Sequence, residues 1–315
     1  MKQKVIETIR KYNLIEDGDK IVLGVSGGPD SISMLNILKE IKDEQIIKFE
    51  IYVAHINHMI REEAIDDEKY VEDYCKKNNI KCYIKRIDVV KIANDKKIGT
   101  EEAGRKARYE FFEEILKKTN SNKIAIAHNI NDKIETIIMH LLRGSGLSGL
   151  KGIEPIRDNK FIRPLIECER SEIEQYCEKY ELNPRIDKTN FENEYTRNKI
   201  RNIVIPYIKQ EFNPNIVQTL SRLSDVAIEE IKYISKQTQK IYQQILIEKE
   251  DRQIILNLKK FNEQEKIIKS QLILLTTKQL MGSTQGIEKI HIEDIIKLCS
   301  NNVGNKYLTP NKNIK

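Results

Sequence analysis

Apolar positions change their spacing abruptly between Ile21 and Ile41. Ile21 to Val25 is an unbroken, β-branched run, the pattern of a buried strand. Met34, Ile37, Leu38 and Ile41 then recur at helical spacing, so the stretch reads as strand, turn, helix. The same alternation continues downstream. Strands are predicted at Phe49–Ala54, Ile80–Ile87 and Ile124–Ala127. Helices are predicted at Lys2–Tyr12, Glu62–Asn78, from Thr100 through Ile115 with Thr100 as cap, and from Asn131 or Asp132 to Arg143. Regular alternation predicts an α/β fold with a doubly wound parallel sheet. After Phe161 the pattern loosens. Ser171 with Glu174 reads as a capping box, and Arg197–Arg201 as the start of another helix. Beyond Asn213-Pro214 it becomes helical throughout. Ile216 to Ile245 forms one amphipathic helix on the order of 45 Å long, and further helices are expected near Asn262–Leu280 and His291–Cys299. The expected division is residues 1–208, a catalytic α/β domain, followed by 209–315, a smaller all-α domain.

In such sheets ligands sit beyond the carboxyl ends of the strands. That rule gathers Ser26–Ser31, His55–His58 and His128–Asp132 into one crevice. The turn Ser26-Gly27-Gly28-Pro29-Asp30-Ser31 lies between strand and helix, so backbone N–H groups and the helix dipole point at one place. Phosphate suits that place. Asp30 does not favour phosphate directly and reads as a ligand for Mg²⁺ riding on it. A Gly-Gly turn also occurs as a plain strand–helix connection, and the Walker A lysine is missing.

Asp132, Glu135 and Thr136 share one face of a helix start beside His128. They form either an N-cap with an exposed acid, or an acidic pocket for a cation with His128 as a proton-transfer or phosphate-contacting group. His55 and His58 at a strand end fit a nucleotide pocket better than a metal. Arg105 with Arg108, and Arg197 with Arg201, are either solvated pairs or phosphate contacts.

Composition narrows the class. The 315-residue chain carries a formal charge of +6, a mild bias toward an anionic partner. All its arginines except Arg222 and Arg252 precede residue 205. No window of eighteen uncharged apolar residues occurs, so no membrane span is expected. The amphipathic, partly acidic N-terminus is no secretory signal. Five cysteines without CxxC pairing point to reduced thiols in a cytoplasm.

SGGPDS after an apolar strand resembles the pyrophosphate loop of the ATP pyrophosphatase superfamily. SGGPDS, VAHINHMIR, EEAGRKARYEFF, IAIAHNINDKIETIIMHLLRGSGLSGLKGI, FIRPL and DKTNFENEYTRNKIRNIVIP, in this order, closely resemble the tRNA(Ile)-lysidine synthetase family. The resemblance runs from Lys20 to Pro206 and more loosely to Leu308. It implies ATP and Mg²⁺ at Ser26, Gly27, Gly28, Pro29, Asp30 and Ser31, with Ala54 and His55 lining the nucleotide pocket. Asp30 would hold the metal. It implies that a wobble cytidine in the CAU anticodon of tRNA(Ile) is adenylated and then attacked by the ε-amine of free L-lysine. Asp132 and Glu135 would hold the lysine ammonium. Arg108 would face the lysine carboxylate or the α-phosphate, and His128 would complete the catalytic set. Arg197, Asn198 and Arg201 match the family's RNxxR segment, associated with nucleotide and tRNA, and the helical domain would hold the tRNA body. A homodimer is compatible with this reading. Many longer relatives continue past Tyr307–Pro310, so a chain ending at Lys315 is read either as a short family member or as a truncated one. The rival readings are a tRNA thiolase of the same superfamily, an amidotransferase-type synthetase and a nucleotide sensor without catalysis.

Overall fold

Alternate residues of the first strand enter different cores. The computed structural model describes residues 1–59, 64–185, 196–284 and 286–300. Its first strand, β1 (Lys20–Gly24), sends Ile21 and Leu23 to one face and Val22 to the other. On the first face they meet α1 (Lys2–Tyr12), α2 (Pro29–Asp43) and α7 (Arg170–Lys179) through Val5, Ile9, Met34, Leu38 and Ile173. On the second face Val22 meets Phe111, Phe112 and Ile115 of α5 (Thr100–Lys118). Apolar contact on both faces explains why the strand reads as a continuous hydrophobic run.

The sheet holds six strands in the order β3-β2-β1-β4-β6-β5. Here β2 is Glu50–Asn57, β3 Lys81–Arg86, β4 Lys123–Ile126, β5 Ile156–Arg157 and β6 Phe161–Ile162. All pairings are parallel except β5 with β6. The expected doubly wound sheet is therefore present, with an antiparallel edge. The chain moves outward from β1 through β2 to β3, then returns to the other side of β1 with β4. That reversal makes a crevice beyond the ends of β1 and β4. The register aligns its walls, because Gly24 pairs with both Ala54 and Ile126. The segments after Gly24 and Ile126, and the last residues of β2, thus emerge at one level.

Between the strands lie α3 (Ala64–Lys77), α4 (Val89–Lys96) and α6 (Ile130–Leu142). After α7 come α8 (Thr196–Lys199), a π-helical turn at Ile200–Val204, α9 (Ile205–Glu211) and the long helix α10 (Ile216–Ile245). The chain forms two compact units, Met1–Asp225 and Val226–Lys315. The division falls later than residue 208, within α10. Its first turns belong to unit 1 because Val217 and Leu220 pack with Ile130, Ile134 and Ile200, while Lys133, buried on α6, pairs with Asp225 at 3.0 Å.

Unit 2 is helical but not all-α. A hairpin, β7 (Leu246–Lys249) with β8 (Ile254–Leu256), follows α10, ahead of α11 (Leu258–Asn262), α12 (Lys266–Met281) and α13 (Lys289–Ser300). Tyr242, Ile245, Phe261, Leu272 and Ile273 form its core.

Several boundaries differ from expectation. His55 to Asn57 lie inside β2, not after it, since the ladder with β3 runs on to Asn57. Thr100 is the first residue of α5 and Gly99 its cap. The capping box of α7 is Glu169 with Glu172, not Ser171 with Glu174. Asn129, rather than Asn131 or Asp132, caps α6. Arg61, residues 187–195 of the DKTNFENEY stretch and Tyr307–Pro310 lie outside the described residues.

Candidate active site

The Ser26–Ser31 turn folds around a hydroxyl. The amides of Ser26 and Gly27 both donate to Ser31 Oγ, at 3.1 and 3.2 Å, and the Gly28 amide donates to Ser26 Oγ. Gly27 takes φ +93°, open to glycine at little cost. Gly28 caps α2 and Pro29 occupies its first turn, where a missing N–H costs nothing. Two amides thus converge on the Ser31 hydroxyl beside a fifteen-residue helix, so an anion held here would have to take those donors over from the hydroxyl. The Arg185 amide donates to the Gly27 carbonyl at 3.0 Å, which ties a distant segment to the loop.

Asp30 is joined to α6 through Asn129. The Asn129 side chain donates to Asp30 Oδ1 at 2.8 Å and accepts from the Asp132 amide at 3.0 Å. The Asn129 amide in turn donates to Asp132 Oδ2. Asn129 is fully buried, so one side chain sets the spacing of two carboxylates. Burial raises the Asp30 carboxyl to about 6, and the charge of Asp132 adds to the effect.

Asp132 and Glu135 are not exposed acids; Glu135 is 1% accessible. Both are held by the arginines of the α8 segment. Arg197 Nε donates to Glu135 Oε2 at 2.7 Å and its Nη2 to Asp132 Oδ1 at 3.0 Å. Arg201 Nε donates to Glu135 Oε1 at 2.6 Å. Two anions and two cations thus form a closed cage, with charge-assisted bonds in fork geometry. The sequence reading kept these groups apart, acids for an ammonium and arginines for phosphate. The structure pairs them. Asn198 is half-buried between the two arginines.

Next to the cage lies a cavity of about 360 Å³, lined by Arg105, Arg108, Arg157, Arg163, His128 and Arg197 among others. Glu101 and Glu154 are its acids, so cations dominate. Arg108 faces this cavity, and among the described residues it makes no ion pair with Asp132 or Glu135. His128 is held strongly neutral. Burial pushes its pKa down to about 3, and Arg163, Arg197, Arg108 and Arg105 push the same way. Such a ring is no general base near neutral pH.

His55 gives Nδ1–H to the Val25 carbonyl at 2.8 Å, and its buried Nε2 has no partner among the described residues. His58 is pushed down to about 4 by burial, Arg108 and His55. Ala54 is fully buried and its carbonyl accepts from the Val25 amide. It sets the floor of the crevice through its backbone.

Among the described residues no three His, Cys, Asp or Glu side chains cluster as a metal site. All five cysteines are free thiols, and no described helix is long and apolar enough to cross a membrane.

Sequence reasoning missed Asn129 and Arg185 and gave Arg163 no role. Asn129 carried a signal, since Asn-x-x-Asp before an apolar helical run has capping-box spacing. Arg185 carried none.

The PP-loop domain family matches residues 1–208. A tRNA(Ile)-lysidine synthase of Clostridium perfringens strain ATCC 13124 is 46% identical over 305 residues, covering 96% of this chain and 64% of that protein. One of Clostridioides difficile is 46% identical over 312 residues, covering 99% and 67%. This chain thus spans roughly two thirds of the length of these curated relatives, 64% for the first. Among solved structures, the U34-tRNA thiolase NcsA of Methanococcus maripaludis, with its 4Fe-4S cluster, superposes with a TM-score of 0.59 at 20% identity, covering 71% of this chain and 77% of that one. That likeness is one of fold.

Proposed function

The chain belongs to the tRNA(Ile)-lysidine synthase family of PP-loop proteins, and on that premise we propose that it joins free L-lysine to the wobble cytidine of a CAU-anticodon tRNA(Ile), splitting ATP to AMP and pyrophosphate. Its place of action would be the cytoplasm. The observation that carries this reading is the Asp132–Glu135 pair, buried and joined by Asn129 to Asp30 in the anion-binding turn. A site for a cation thereby borders a site for triphosphate.

The first step would be attack of the cytidine carbonyl oxygen on the α-phosphate, with pyrophosphate leaving. Amides of Ser26, Gly27 and Gly28 and the α2 N-terminus would stabilise that charge. Asp30 would be the protein ligand of Mg²⁺ carried on the phosphates, an ion whose charge offsets that of the pyrophosphate. Two neighbouring carboxyls, one raised to about 6, fit a cation there. The second step would be attack of the lysine ε-amine on the activated ring carbon, expelling AMP. Asp132 and Glu135 would seat the ammonium and take its proton. Since Arg197 and Arg201 hold both carboxylates, at least one guanidinium must release them when lysine enters. The freed arginine then has the charge and planar fork to meet a phosphate of ATP or tRNA. Arg108, in the cationic cavity, would meet the lysine carboxylate or the α-phosphate. Residues 1–208 would carry out the chemistry and 209–315 would hold the tRNA body.

The test is to incubate the full chain with ATP, labelled lysine and tRNA transcripts that differ in the anticodon. Label entering only the CAU transcript, with one AMP formed per lysine, supports the reading. Sulfur transfer from a donor, or ATP turnover indifferent to tRNA, favours a rival enzyme.

A further inference from the structure

The segment Phe161-Ile162-Arg163-Pro164-Leu165 has no part in the chemistry above. Phe161 and Ile162 are β6, and Arg163 leaves the strand end only 4% accessible. Its hydrogen-bond acceptors among the described residues are uncharged. Nε donates to His128 Nδ1 at 3.1 Å, and Nη1 donates to the Glu154 carbonyl. Among the described residues it makes no ion pair with a carboxylate, and the Glu154 carboxylate is turned to Lys151. A buried guanidinium without a counter-anion is costly. Such a charge is kept where an anion arrives.

A guanidinium only donates. His128 Nδ1 must therefore accept, and a neutral imidazole that accepts at Nδ1 carries its proton on Nε2. The reverse arrangement is usual, with Nδ1–H given to a carbonyl or carboxylate. His55 and His140 of this chain show it, donating to Val25 and Gly149 carbonyls at 2.8 and 3.0 Å. His128 alone of these three rings is held from behind by a cation. The charges acting most strongly on it are all positive, Arg163 after β6, Arg105 and Arg108 from α5, and Arg197 from α8, although Glu101 and Glu154 also line the cavity. The carboxylates of its own following helix, Asp132 and Glu135, are already taken by Arg197 and Arg201.

We propose that Arg163 is the positioning residue that fixes His128 as a neutral donor through Nε2–H, directed to an anionic oxygen of the reacting nucleotide in the cavity both residues line. The naming of that oxygen as the α-phosphate, or the phosphate of the adenylated base, rests on the ligase reading; the tautomer does not. The arrangement divides the labour. His128 cannot compete for the proton of the incoming ammonium, which leaves Asp132 and Glu135 to receive it. A neutral ring also stays a donor across the working pH range, with no dependence on its own titration.

The experiment is long-range proton–nitrogen NMR of the histidine rings in the full chain, with His128 identified by the signals lost in His128→Gln. The expected result is an Nε2–H ring that does not titrate between about pH 5.5 and 8. Arg163→Lys, which keeps a donor, retains that tautomer. Arg163→Met, judged folded by unchanged His55 and His140 signals, moves the ring pKa up toward the ordinary value of about 6.5. It also lowers kcat for lysine transfer about tenfold, the scale of one charge-assisted hydrogen bond, with KM for ATP unchanged. An Nδ1–H tautomer in the wild-type chain, or a ring titrating near pH 6, overturns the proposal even if lysine transfer is found. Should Arg163→Met not fold, the wild-type and Arg163→Lys spectra decide. An Nε2–H ring in a chain that transfers no lysine overturns the ligase reading and leaves this one standing.

Discussion

Arg201 grips Glu135 through both carboxylate oxygens, Nε to Oε1 at 2.6 Å and Nη2 to Oε2 at 2.8 Å. Glu135 is 1% accessible, so removing the guanidinium leaves a buried carboxylate held by Arg197 alone among the described residues. Arg201→Ala should cost about 2 kcal/mol in urea unfolding, the scale of hydrogen bonds to a charged group. The double variant Arg201→Ala, Glu135→Gln should recover most of that loss. A double-variant loss equal to the sum of the Arg201→Ala and Glu135→Gln losses would mean that the pair contributes no coupling.

Asp132→Ala should abolish lysine transfer while ATP still binds, measured by equilibrium dialysis beside the lysine-incorporation assay. Among the described residues, Asp132 is tied to the Ser26–Ser31 turn by hydrogen bonds through Asn129 and Asp30. Asp132→Asn is the control for the cap of α6, because its amide oxygen can still accept from the Asn129 backbone N–H. Loss of ATP binding in both variants would contradict the separation of the two substrates.

Asp30 gives the free protein a defined pH response. Its carboxyl is raised from 3.8 to about 6, first by burial and then by Asp132. The folded chain therefore binds more protons than the unfolded chain between about pH 4 and 6, so stability falls as pH rises through that window. The penalty is absent below it and complete above it. Asp30→Asn should raise the urea midpoint at pH 7 and leave it nearly unchanged at pH 4. A gain of equal size at both pH values would show that ionisation is not the cause.

Two glycines near the turn should fail for different reasons. A Cβ on Gly24 would lie 2.4 Å from the Phe112 ring, whereas one on Gly27 has ordinary room but sits at φ +93°. Gly24→Ala should cost about 1–3 kcal/mol by overpacking, and Gly27→Ala about 1–2 kcal/mol by backbone strain. Phe112→Leu should rescue the first and not the second in a double-mutant cycle. Rescue of both, or of neither, would refute this assignment.

The sheet and its crevice were legible because β1, β2 and β4 are apolar runs joined by helices of clear period, and topology alone then brings Ser26, His55 and His128 together. The hairpin β7–β8 was not, because Leu246–Lys249 follows α10 without a break in the amphipathic pattern and its turn is a run of charges. Asn129 is readable as a cap from its Asn-x-x-Asp spacing, but its bond to Asp30 is not. The cage was illegible for a different reason. Arg197 and Arg201 lie more than sixty positions from Asp132 and Glu135, and no rule of strand order positions the helix that carries them. The neutral hold of Arg163 on His128 depends on which ring nitrogen faces β6, a matter of side-chain geometry that spacing does not encode.

The most direct measurement of the central claim is a crystal structure of the full chain grown with Mg²⁺, a non-hydrolysable ATP analogue and lysine. The account predicts β- and γ-phosphates on the Ser26, Gly27 and Gly28 amides, with the lysine ammonium at Asp132 and Glu135 in place of at least one guanidinium. A nucleotide bound elsewhere, or a cage of Arg197, Arg201, Asp132 and Glu135 still closed with lysine seated away from it, would contradict the account.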